Sequence, residues 1–353
     1  MLGFSAYLHQ KMDQSDLIEF NKFVLAGFTG VFTSINLPED DPQILLANLK
    51  DLGELCQTNN LELTLDISAS SLKRLNLKLP EDLKVFEQMH VTMLRIDDGI
   101  NNAGVAQLSQ KIKIALNAST ISQSDIEQLQ ANQADFTNLE AWHNYYPREN
   151  TGLDRDWFEA KNKWLQANGF CVMSFVAGDK NLRAPVYKGL PTLEEQRYQN
   201  PFVSALQMQK LRVDRIYIGD PALKETTLEQ FTSYFRKKIL KIHVDLFKAP
   251  DYIDHIFHQR ADVARDVVRL REGRSLNHQR IAPDNAVIRK CGAITIDNEL
   301  AERYQGELQL MRRELPADKT VNVIGQIVKD DIKLTEYCQA NQAIKLIETK
   351  VRK

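Results

Sequence analysis

The residues best equipped for chemistry cluster in one stretch, His143-Asn-Tyr-Tyr-Pro-Arg-Glu-Asn-Thr-Gly-Leu153. An imidazole, an amide, two phenols and a guanidinium lie within a few positions, more polar and aromatic capacity than a turn requires. Flat rings suit the faces of a ring-shaped ligand, and an arginine fork suits an oxyanion. Four carboxylates, Asp66, Asp97, Glu140 and Asp220, and the amide of Asn117 sit at or near the ends of short apolar runs. Glycoside cleavage needs two carboxyls held across a bond. One donates a proton to the leaving oxygen, while the other attacks, activates water or orients a substrate group. The competing reading is structural, since inward carboxylates are natural partners for Arg95. A further group lies between Gly178 and Arg197, where Lys180, Arg183 and Lys188 supply charge and Tyr187 a ring. Gly178 and Gly189 allow close backbone approach to a phosphate. Within it, Thr192-Leu-Glu-Glu195 has the spacing of a helix capping box, which gives Thr192 and Glu195 a structural role.

These residues need elements to hold them. Strand-like runs recur at Leu2–Leu8, Gly30–Asn36, Leu61–Ile67, Val91–Asp97, Ile112–Ala118, Phe136–Trp142, Phe170–Val176 and Asp214–Gly219. Amphipathic stretches such as Gln14–Ala26 and Pro42–Thr58 separate them, the second started by Asp-Asp-Pro. Eight strands alternating with helices over this length have the rhythm of a TIM (β/α)8 barrel. No glycine-rich phosphate turn follows the first strand, which disfavours a doubly wound sheet. Side chains alternate faces along a strand, and the outer face must meet apolar helices. The polar set therefore points inward: Ser5, Tyr7, Asp66, Arg95, Asp97, Asn117, Asn138 and Glu140. Buried charges are costly unless paired, so Asp66, Arg95, Asp97 and Glu140 should form a network or reach the open C-terminal mouth.

After about Phe235 the rhythm changes to a strand, Lys238–Phe247, then short runs at Ala293–Asn298, Arg303–Leu310 and Thr320–Gly325. The expected division is a barrel domain over residues 1–236 and a small β-rich domain over 237–353. Lys and Arg number 45 against 47 Asp and Glu, a formal charge of −2. That offers no global field for nucleic acid or membrane, so an anion site must be local. The four cysteines have no metal or redox spacing and are expected as unpaired thiols. The histidines show no ligand spacing, so no metal is expected, nor any organic cofactor. With no leader-like start and no membrane-length apolar run, the expected location is cytoplasmic.

Several motifs, in order, resemble the bacterial 6-phospho-N-acetylmuramidases. They are Phe32-Thr-Ser-Ile, Leu94-Arg-Ile-Asp97, Leu116-Asn-Ala-Ser-Thr120, His143-Asn-Tyr-Tyr-Pro-Arg148 with Thr151-Gly-Leu153, and Gly189-Leu-Pro-Thr-Leu-Glu194. Gly292-Ala-Ile-Thr-Ile-Asp-Asn298, Arg303-Tyr-Gln-Gly-Glu307 and Val321-Asn-Val-Ile-Gly325 extend the likeness into the second domain. Glu149, Lys188 and Gln196 depart from the family's pattern, where Pro, Glu and His are expected. The resemblance implies a TIM barrel followed by a cyclophilin-like β-barrel. It also implies a cytoplasmic, exo-acting hydrolase of the β-1,4 bond in N-acetylmuramic acid 6-phosphate–N-acetylglucosamine. That disaccharide would be phosphorylated on uptake and cleaved during cell-wall recycling. The site expected on this footing has Asp97 and Glu140 doing the catalytic work and Asp66 orienting Arg95 or the acetamido group. Tyr7, Asn117, His143, Asn144, Tyr146, Tyr187 and Asp220 would line the sugar and lactyl positions, with Arg148 and Arg183 on anionic groups. The second domain would shape the pocket or form a homo-oligomer contact. The rival readings are a phosphosugar aldolase or epimerase, which would want a Schiff-base lysine or a metal, and a sugar-phosphate sensor without turnover.

Overall fold

The computed structural model describes residues 1–36 and 42–349. The aspartates of the Asp-Asp-Pro helix start lie outside the described residues. The chain divides into two compact units, Met1–Leu228 and Glu229 onward. The division falls inside the helix Glu225–Lys237 rather than after it.

In the first unit, eight strands among the described residues close a parallel barrel in chain order. They are β1 Leu2–Ser5, β2 Gly30–Ser34, β3 Glu62–Ser68, β4 Met93–Asp98, β5 Lys113–Asn117, β6 Leu139–Trp142, β7 Cys171–Val176 and β8 Arg215–Ile218. Strand β8 returns to β1 with Leu2 opposite Ile216 and Phe4 opposite Ile218. The alternation works as the sequence requires. Phe4 faces outward and stacks on Phe23 of the helix Gln14–Ala26, with ring centroids 4.4 Å apart. Inward, Phe32, Met93, Ala115, Trp142, Met173, Phe175 and Tyr217 pack the middle of the barrel. Gly3 and Gly30 face the Tyr217 ring, and a Cβ at either would overlap it. The barrel is thus a filled core rather than a pore, and chemistry is confined to its ends.

Strand β6 is shorter than expected. Residues Phe136–Asn138 form a 3-10 turn because the Asp135 carboxylate accepts from the N–H and hydroxyl of Thr137, at 2.9 and 2.6 Å. Glu140 is therefore the second residue of its strand and belongs to the N-terminal end of the barrel. Strand β1 also stops at Ser5 instead of continuing to Leu8.

The second unit is a seven-stranded sheet among the described residues. Its strands are β9 Ile239–Leu246, β10 Ile256–His258, β11 Val267–Leu270, β12 Ala293–Asp297, β13 Leu308–Met311, β14 Val321–Ile327 and β15 Ala343–Glu348. Their order is β10-β15-β9-β14-β12-β13-β11. A bridge from Gln259, beside β10, to Leu270 of β11 joins the two ends of that order, so the sheet curls back on itself. The expected strand Arg303–Leu310 is in fact a 3-10 stretch, Glu299–Tyr304, followed by β13. Among the described residues, no helix is long and apolar enough to cross a membrane.

Candidate active site

The C-terminal mouth of the barrel carries a compact charge cluster. Arg95 of β4 is buried and its Nη1 donates to Asp66 Oδ1 on neighbouring β3 and to Asp97 Oδ1 at 3.2 Å. Its Nη2 donates to the side-chain oxygen of Asn144, just past β6. One cation thus gathers two carboxylates and an amide from three strand ends. The two acids differ. Asp66 is 8% exposed, and its Oδ2 also accepts from Ser34 Oγ at 3.0 Å and Asn36 Nδ2 at 2.8 Å. Burial pushes its carboxyl above the usual range, against the downward pull of Arg95. The Asp97 side chain is 40% exposed. Among the described residues nothing bonds its Oδ2, so this oxygen faces the mouth. Asn117 ends β5, the next strand; its Oδ1 accepts from the Ser119 N–H at 3.1 Å.

A second arginine meets the same loop one residue on. Arg183 Nη1 donates to the Tyr145 hydroxyl at 2.8 Å, and its guanidinium lies 3.8 Å from the Tyr7 ring centroid. Tyr7 donates to the Gly219 carbonyl after β8. Tyr145 packs edge-on against Phe175, with centroids 5.1 Å apart. The Tyr7 ring face and one hydrogen bond hold this guanidinium while leaving its other N–H groups to donate. Of the cations expected around it, Lys180 is neutralised by Glu19 at 2.6 Å and Lys188 by Glu149 at 3.6 Å. Two departures from the family pattern, Glu149 and Lys188, are thus an ion pair with each other.

Asp220 holds this architecture rather than facing a ligand. It is fully buried and accepts from the backbone N–H groups of Gly178, Arg183 and Leu190 at 2.8, 3.0 and 2.9 Å. The loop after β7 is wrapped around that carboxylate. It also clamps the loop after β6. Thr192 accepts from the Phe175 N–H and donates to the Asn144 carbonyl, both at 2.9 Å. Glu194 accepts from the N–H groups of Asn150 and Gly152 and pairs with Arg197 at 2.6 Å, which lowers its pKa to about 2. Thr192 and Glu194 thus clamp the two loops; the capping box expected of Thr192 and Glu195 does not form, since no side chain caps the short turn Glu194–Gln196. Glu195 is engaged by Gln207.

Two expected site residues, Glu140 and His143, fall elsewhere. Glu140 lies at the opposite end of the barrel, where its Oε1 pairs with Arg215 at 2.8 Å and its Oε2 accepts from Trp142 Nε1 at 2.8 Å. Glu62 and Lys113, each the first residue of its strand, complete that N-terminal network. The packed interior, including Trp142, Met173 and Tyr217, separates it from Asp97. His143 is outside the barrel wall, because the residue after inward-facing Trp142 must face outward. Its Nε2 donates to Asn162 at 2.7 Å and its ring packs on Phe158, both on the helix Arg155–Ala167. Burial lowers its pKa to about 4. Tyr146 contributes a backbone bond, its N–H donating to the Pro191 carbonyl at 2.9 Å. Arg148 and Tyr187 are exposed at the surface of these loops. Sequence reasoning missed Tyr145, Ser34 and Asn36. The alternation along β2 marks Ser34 as inward, but nothing periodic distinguishes Tyr145 from Tyr146. Among the described residues no group of His, Cys, Asp and Glu has the makings of a metal site.

Fold and mouth together define a (β/α)8-barrel protein with an acid–arginine mouth, the end on which barrel enzymes carry their sites. The family follows from comparison. A family model described as 6-phospho-N-acetylmuramidase, N-terminal, matches residues 2–233, and its C-terminal counterpart matches residues 240–347. The chain belongs to the 6-phospho-N-acetylmuramidase family, whose name is that of a glycosidase. It is similar to a conserved protein of unknown function from Enterococcus faecalis, with 37% identity and a TM-score of 0.92 over 99% of this chain and 96% of that one. An uncharacterized Bacillus cereus protein shares its fold at 24% identity, with a TM-score of 0.76 over 98% of this chain and 99% of that one. No protein with a curated description matches.

Proposed function

We propose that the chain hydrolyses the β-1,4 bond between N-acetylmuramic acid 6-phosphate and N-acetylglucosamine, in the cytoplasm, as a step of cell-wall recycling. The observation that carries this reading is the Asp66–Arg95–Asp97–Asn144 cluster beside an arginine with donors to spare. Two carboxylates share one guanidinium, so negative charge is concentrated locally at this cluster, where it can favour an oxocarbenium-like transition state. Asp97 is the reacting carboxylate, since its Oδ2 is open to the mouth. Asp66 is the positioning one: every bond it accepts holds Arg95 and the β2 end in place, so it cannot approach a sugar without dismantling the cluster. Arg183 takes an anionic group of the substrate, with Tyr7 and Tyr145 fixing its plane. Asn117 and Asn144 bond polar groups of the sugar. The family name supports the glycosidase class, and the phosphate preference rests on Arg183.

The test is release of N-acetylglucosamine from the phosphorylated disaccharide by wild-type protein and by Asp97→Asn. General acid–base or nucleophilic participation predicts a loss of roughly 10²–10⁴-fold or more in kcat with an unchanged melting temperature. Turnover within a few-fold of wild type would remove Asp97 from the chemistry.

A further inference from the structure

The motif Arg303-Tyr-Gln-Gly-Glu307 lies in the second unit, on the wall of a hollow of about 430 Å³. Four arginines line that hollow: Arg260, Arg271, Arg274 and Arg303. Two are already compensated, Arg260 by Asp262 at 2.8 Å and Arg271 by Glu272 at 3.0 Å. Glu307, also on the wall, is taken by Arg269 at 2.7 Å. Arg274 and Arg303 are in no ion pair among the described residues. Arg274 Nη2 donates to the Arg303 carbonyl at 2.6 Å, and Arg303 Nη2 donates to the Tyr304 hydroxyl at 2.8 Å. Both guanidiniums lie over the Tyr304 ring, 5.5 and 4.9 Å from its centroid. Two like charges, both exposed to solvent, thus lie near one ring beside an open hollow and give it a locally positive field.

Glu302, immediately before the motif, adopts φ 52° and ψ −115°, a conformation that disfavours any residue with a Cβ. Non-glycine strain of this kind persists where the surroundings over-determine it and concentrates at ligand clamps. Here it turns the chain so that Arg303 and Tyr304 stand beside Arg274.

We propose that this hollow binds a small phosphate monoester, its oxygens held by Arg274 and Arg303. Two guanidiniums in no ion pair among the described residues match the charge of a phosphate dianion, and each carries N–H groups that can donate to its oxygens. A concave space of this volume suits a monosaccharide-sized body. Arg183 is not among the residues that line the hollow, and the proposal stands whether or not the barrel hydrolyses the proposed disaccharide.

Calorimetric titration of the full chain with N-acetylglucosamine 6-phosphate and with inorganic phosphate tests it, at about 0.15 M ionic strength. Uncharged N-acetylglucosamine is the control. Arg183→Gln removes the anion grip of the barrel mouth, so binding that survives in this variant reports the hollow. The expected result is a surviving site that Arg303→Gln, added to Arg183→Gln, weakens at least tenfold while the melting temperature holds. Arg303 is the variant of choice because among the described residues its side chain bonds only Tyr304, whereas Arg274 ties down the Arg303 carbonyl. Tighter binding of the sugar phosphate than of inorganic phosphate would mark a phosphosugar site; equal binding would mark a site for the phosphate group alone. No binding in Arg183→Gln, or binding that ignores Arg303→Gln, overturns the proposal. Disaccharide turnover by Arg303→Gln should match wild type, so a failed hydrolase assay and a failed binding assay are told apart.

Discussion

At Asp97 and Glu140 the same functional group meets opposite demands. Asp97 keeps one oxygen free at the mouth, whereas both oxygens of Glu140 are committed to Arg215 and Trp142. Glu140→Gln should therefore leave kcat within a few-fold of wild type while lowering stability by about 3 kcal/mol, the scale for breaking a buried pair. Thermal unfolding beside kinetics at a permissive temperature reads both; a large loss of kcat without loss of stability would return Glu140 to the chemistry. His143 makes a pH prediction. Burial lowers its pKa from 6.5 to about 4. Between those values the unfolded chain carries a proton that the folded chain excludes. Stability conferred by the neutral imidazole is present above about pH 6.5 and is lost as pH falls toward 4, by about 3 kcal/mol over the full window. Denaturant titrations across that range should show the slope, and His143→Asn should flatten it. An unchanged slope in the variant would mean that other groups carry the acid sensitivity.

The barrel's elements were largely readable because alternation is a local property. Leu94-Arg-Ile-Asp97 alternates strictly, and that alone puts Arg95 and Asp97 inside with Asp66. The same parity bears on His143, since the successor of inward-facing Trp142 faces out, but it was not applied there and His143 was expected on the sugar instead. What failed at β6 was the start of the strand, set by the Asp135 cap on Thr137, a side-chain bond that no hydrophobic period reveals. Asp220 was out of reach for a different reason. Its three partners come from a loop up to 42 residues away in sequence, and only the folded chain brings those N–H groups together. Asp220→Asn retains a single acceptor oxygen and no charge. It should destabilise the loop after β7 by about 2 kcal/mol and raise KM more than it lowers kcat, since Arg183 is carried on that loop. Steady-state kinetics on the variant test this; a loss confined to kcat would place Asp220 at the reacting bond instead.

For the molecule as a whole, recognition must be local. With a formal charge of −2 the chain has no long-range pull on an anionic sugar, so selectivity for a phosphorylated substrate has to come from placed arginines. On the proposed function that arginine is Arg183, placed over the Tyr7 ring and bonded to the Tyr145 hydroxyl. Mass spectrometry of the products formed from the 6-phosphorylated disaccharide and its unphosphorylated twin tests this most directly. The account predicts N-acetylglucosamine released from the phosphorylated disaccharide alone. Equal release from both would contradict the anion site, and no release from either by folded protein would contradict the hydrolase.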